Sequence, residues 1–78
     1  MEWIELIELT DEKITYKYYP EGKEKFGIVS LMRKNSERVI NSLCESDKFK
    51  TYAFHALALL EEYHEKDEFP EKDLIAWY

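Results

Sequence analysis

The stretch from Phe49 to Lys66, FKTYAFHALALLEEYHEK, constrains the fold of this chain most, because its apolar period is long enough to identify one element type. Placed at 100° per residue, Phe49, Tyr52, Ala53, Ala56, Leu57, Leu59, Leu60 and Tyr63 fall in one sector roughly 160° wide, the stripe an amphipathic helix turns to a core. Glu61, Glu62, Glu65 and Lys66 lie opposite and belong to water. Ser46 and Asp47 can accept hydrogen bonds from the first free backbone N–H groups, so the helix is predicted to start near 47 or 48. Pro70 pushes Phe69 toward an extended backbone, which places the end within Lys66 to Glu68. Phe54 does not fit the stripe and projects from the polar side.

A helix with one apolar face needs a surface to cover, and the upstream sequence supplies strands. Ile14, Tyr16 and Tyr18 alternate with Thr15, Lys17 and Tyr19, a pattern that suits a half-buried strand ending at Pro20-Glu21-Gly22. A second strand is predicted from Phe26 to Met32 and a third from Arg38 to Leu43, joined by a turn at Lys34 to Glu37 in which Asn35 tolerates the left-handed region. The opening WIELIEL reads as a further strand, with a short helix as the alternative. The apolar end, Leu74 to Tyr78, is expected to dock as a short strand or over the helix end. The expected fold is therefore α+β, a single domain over residues 1–78. It is an antiparallel meander of three to four strands with the helix on one face and a docked C-terminal segment.

Register decides which strand residues meet the helix, since a one-residue slip exchanges the two faces. One consistent choice groups Ile14, Tyr16, Tyr18, Phe26, Ile28, Met32, Val39 and Leu43 under the helix. The second face then holds Thr15, Lys17, Tyr19, Val29, Leu31, Arg33, Arg38 and Ile40. Its apolar members, with Phe54, Trp77 and Tyr78, exceed what one helix covers and make Val29, Leu31, Ile40, Phe54, Trp77 and Tyr78 the candidate protein interface.

Charge is distributed in blocks. The net charge is −6, made up of −5 over residues 1–12, +4 over 13–38, zero over 39–60 and −5 over 61–78. Oppositely charged segments of this kind either meet within the fold or make a charge-polar surface for association. The basic middle segment places Tyr16, Lys17, Tyr18, Tyr19, Arg33 and Arg38 on strands, a composition that can hold single-stranded nucleic acid by stacking and phosphate contacts. The acidic flanks oppose that reading by repelling phosphates.

Catalysis and metal binding find little support. His55 and His64 are nine residues apart, which places them on opposite sides of one helix and excludes a shared metal ion there. Cys44 is the single cysteine, read as a small hydrophobe rather than a nucleophile paired with His55. With two glycines, Gly22 and Gly27, there is no phosphate-binding loop. No catalytic residue, cofactor or metal site is expected. The lone cysteine, the absence of a signal-like apolar run and the absence of a bilayer-length segment lead us to expect a cytoplasmic protein without membrane contact. The leading expectation is a non-enzymatic protein acting through protein contacts, with itself as one partner. A sheet-face binder of single-stranded nucleic acid is the alternative.

Overall fold

The computed structural model describes residues 2–21 and 24–75. They form an α+β fold in the order β1 (Glu2–Leu9), β2 (Lys13–Pro20), β3 (Gly27–Met32), β4 (Arg38–Ser42), α1 (Thr51–Lys66) and β5 (Lys72–Ile75). The five strands make one antiparallel sheet in the order β4-β3-β2-β1-β5. That is one strand more than the upper expectation, because both β1 and the segment Lys72–Ile75 joined the sheet. β5 docks by pairing Lys72 to Ile75 against Glu5 to Glu2. Gly22, Trp77 and Tyr78 lie outside the described residues.

The helix crosses β2 and β3 and buries Ala53, Ala56, Leu57, Leu60 and Tyr63. Beneath them lie Ile4, Ile14, Tyr16, Tyr18, Val29 and Leu31, each at most 1% exposed. The register that does this differs by one residue from the choice made on sequence. Tyr16 pairs with Val29, Ile14 with Leu31, and Tyr18 with Gly27, so Val29 and Leu31 face the helix while Ile28 and Met32 face away. Two contacts fix it. Gly27 has room for no side chain, because a Cβ there would run into the ring of Tyr18. Thr15 and Ser30 meet on the opposite face, their hydroxyls 2.8 Å apart, and Ser30 reaches Asn41 at 2.7 Å. The slipped register would instead put Ser30 into the apolar core, where an unpartnered hydroxyl costs about 1–3 kcal/mol.

The helix starts later than expected, at Thr51, and Phe49 is 88% exposed rather than part of the core stripe. Lys50 adopts a left-handed conformation, φ 62°, and breaks the period just before the helix. Asp47 still serves the N-terminus across this break, its two carboxylate oxygens accepting from Tyr52 N at 3.0 Å and Ala53 N at 2.9 Å. At the other end Asp67 takes the left-handed cap within the range that Pro70 implied. In the β3–β4 turn it is Ser36, φ 57°, that takes the left-handed region, while the Asn35 side chain accepts a bond from Glu37 N.

Candidate functional site

The helix covers one face of the sheet, and no described element lies over the other. Alternation and register assemble that open face row by row. Leu74 pairs with Trp3, Trp3 with Tyr19, and Tyr19 stacks on Phe26 with ring centroids 5.6 Å apart. This is a continuous apolar row across β5, β1, β2 and the start of β3. Trp3, Phe26 and Leu74 in it are 41–43% exposed, unlike the fully buried tyrosines one residue away. The next row is charged: Lys72 pairs with Glu5, Glu5 with Lys17, and Lys17 with Ile28. The two rows are tied diagonally. Lys17 Nζ sits 4.5 Å from the Phe26 ring centroid, a cation–π contact, and the Tyr19 hydroxyl donates to Glu5 at 3.2 Å. Partial burial and that carboxylate together raise the Tyr19 pKa. Beyond lie Glu8 with Lys13 in a 3.3 Å ion pair, and half-buried Met32 and Val39.

This geometry redistributes the residues singled out on sequence. Val29 and Leu31 are 0% exposed and Ile40 packs against the core, so these three are not an open surface; the register places them under the helix. Phe54 does project from the helix back, 48% exposed. Tyr16 and Tyr18 are 0% exposed and unable to stack on a base, because they belong to the helix-facing side of β2. Burial and the nearby Asp73 push Tyr16 up to about 12; burial, with the Asp47 carboxylate alongside, does the same for Tyr18. Lys17 and Tyr19 remain on the open face. Arg38 grips Glu61 on the helix with two bonds of 2.8 Å, which raises the guanidinium's pKa and lowers the carboxyl's. Arg33 donates to Thr10 O at 2.9 Å and lies over Phe69. Both arginines tie strands to the chain's second half, so the six candidates for a nucleic-acid face do not share one surface.

Of the residues that do share the surface, Phe26, Ile28, Met32 and Val39 were put under the helix by the slipped register, against the signal of Thr15 and Ser30, two hydroxyl side chains that pair only in the observed one. Trp3, Glu5 and Leu74 were missed because the sequence assigned no face to β1 or to the C-terminal strand. A groove of about 650 Å³ lies elsewhere, between the end of α1 and β5. Four of its polar side chains are paired with each other: the Tyr63 hydroxyl donates to Asp73, and Lys66 to Glu62 at 2.9 Å. Among the described residues no group of His, Cys, Asp and Glu is placed to hold a metal ion, and no helix is long and apolar enough to cross a membrane. The chain matches no protein-family model, no curated protein and no solved structure, so what it does has to be read from the chemistry of this face.

Proposed function

We propose that this is a non-enzymatic, cytoplasmic protein that works through protein contacts made by the open face of its sheet. One observation carries the reading: the row Leu74, Trp3, Tyr19 and Phe26 runs across β5, β1 and β2 to the residue before β3 with no described element above it. Three of its members keep two-fifths of their surface in water. Aromatic side chains rimmed by charges are the composition of interface centres, since they bury large areas at little entropic cost. Glu5 and Glu8 among the lysines make the face unsuited to a phosphate backbone, which favours a protein partner.

Hydroxyl-radical footprinting tests this in the cells that make the protein. Trp3, Phe26 and Met32 are expected to be oxidised several-fold less in cells than in dilute purified protein. Phe49, 88% exposed in the segment that leads into α1, serves as the internal reference and should not change. Equal oxidation of the face residues in both settings would overturn the reading.

A further inference from the structure

We propose that the occupant of the open face is a second copy of this chain, packed sheet to sheet about a two-fold axis that runs along the strands between β1 and β2; this rests on the face being a protein-contact surface. The pairing of rows points to that axis. Such a rotation turns the face over onto itself and exchanges β1 with β2 and β5 with β3, keeping each row in place. Trp3 then opposes the partner's Tyr19, and Leu74 opposes the partner's Phe26, so the apolar row closes on its own reverse. In the next row Glu5 and Lys17 are direct cross-strand partners. The same rotation therefore sets each Glu5 against the partner's Lys17, and each Lys17 against the partner's Glu5. An interface that makes opposite charges meet twice from one pair is self-complementary in the sense a closed dimer requires. Aligned packing of two sheets about 10 Å apart accommodates this arrangement.

Net charge, area and edges agree. Lys13, Lys17 and Lys72 against Glu5 and Glu8 give the face +1, whereas the whole chain carries −6, so the remainder carries −7. This face is therefore one on which two chains of net charge −6 meet with little repulsion. In a molecule measuring 30 × 20 × 20 Å with 5130 Å² of accessible surface, one broad side is roughly a fifth of the total. That is on the order of 1000 Å², against about 800 Å² per partner in a stable interface. Association through the sheet edges is disfavoured by devices at each of them. Ile7 is a bulge residue in β1 where β5 has ended, and Asn41 is one in β4. In β5 the inward Asp73 turns an oxygen back to Leu74 N at 2.8 Å. Bulges and inward charges of this kind discourage a further strand from adding.

The test is sedimentation equilibrium on the full chain and on Glu5→Lys and Lys17→Glu, with far-ultraviolet circular dichroism confirming that each variant is folded. The wild type is expected to rise from 9.5 kDa toward twice that mass as concentration increases. Each reversal places like charges face to face and should weaken self-association at least about tenfold. An equal mixture of the two variants should regain it, because a chain with two lysines then meets a chain with two glutamates. A wild type that stays at 9.5 kDa up to about 1 mM, well above typical transient affinities, overturns the second copy as occupant. If footprinting in cells still protects Trp3, the face reading survives that failure. A dimer that ignores both reversals, or variants that fail to complement in the mixture, overturns the two-fold placement.

Discussion

Three tyrosines hold the centre of this protein, and each is buried with its hydroxyl group engaged. Tyr16 donates to Pro70 O at 2.6 Å, Tyr18 accepts from Cys44 N at 3.0 Å, and Tyr63 donates to Asp73. Tyr16 and Tyr63 also meet ring to ring at 5.6 Å. The pattern is economical: a small core gains three large apolar bodies while their hydroxyls pin the loops before and after the helix. It also makes the fold sensitive to alkali. Burial pushes Tyr16 and Tyr18 up to about 12 and Tyr63 further in the same direction. The folded-state pKa lies above the unfolded value near 10, so this stabilisation is fully present below pH 10 and lost as pH rises through about 12. Tyr16 and Tyr18 each withdraw up to about 2–3 kcal/mol by then. In an ultraviolet titration of the six tyrosines, these three should ionise late and together with loss of circular dichroism, whereas Tyr52, raised to about 12 chiefly by its hydrogen bond to Glu21, should ionise late without requiring that loss. Ionisation of all six near pH 10 with the fold intact would contradict their burial.

Among the elements, α1 shows how local signals divide into readable and unreadable. Its apolar stripe and its C-terminal boundary follow from the 3.6-residue period and from Pro70, both properties of neighbouring residues. Its N-terminus does not, since Lys50 takes the left-handed region, closing a turn with its N–H on Asp47 O at 3.0 Å, and no sequence rule asks a lysine to go there. Asp47 was recognisable as a cap, although it acts from five and six residues away. Being 2% exposed with both oxygens on helix N–H groups, it should matter more than a surface cap. Asp47→Ala is expected to cost about 1–2 kcal/mol. A domain of this size then melts roughly 4–16 °C lower, as read by thermal denaturation, and a change under 2 °C would show the cap is idle. The strands divide the same way. Their existence was visible in alternating β-branched and aromatic residues, but the pairing of β2 with β3 rests on Gly27 fitting beneath Tyr18 and Thr15 meeting Ser30, which are relations between distant positions. That single register places Val29 and Leu31 in the core and Ile28 and Met32 on the open face, so the identity of the surface depends on contacts between residues far apart in sequence.

For the molecule as a whole, the charge blocks resolve into internal contacts. The basic middle meets both acidic ends: Lys13 pairs with Glu8, Arg38 with Glu61 and Arg33 with Asp67. What these contacts leave behind is a net negative charge carried outside one nearly neutral side, and salt should therefore act on self-association in a defined direction. Between about 10 mM and 150 mM ionic strength the screening length falls from roughly 30 Å to 8 Å. Repulsion between two chains of −6 acts over tens of ångströms and is removed by that change. The contacts proposed between Glu5 and Lys17 lie beside the apolar row, inside the closed sandwich, where salt screens them far less. Dimerisation should accordingly strengthen across this range, as a several-fold fall in the dissociation constant from sedimentation, and then level off. Binding to a polyanion would respond in the opposite sense, weakening steeply as counterions compete. A dissociation constant that rises with salt would mean that long-range attraction between charged surfaces holds the copies together, and the row of Trp3, Tyr19, Phe26 and Leu74 would lose its place at the centre of the interface.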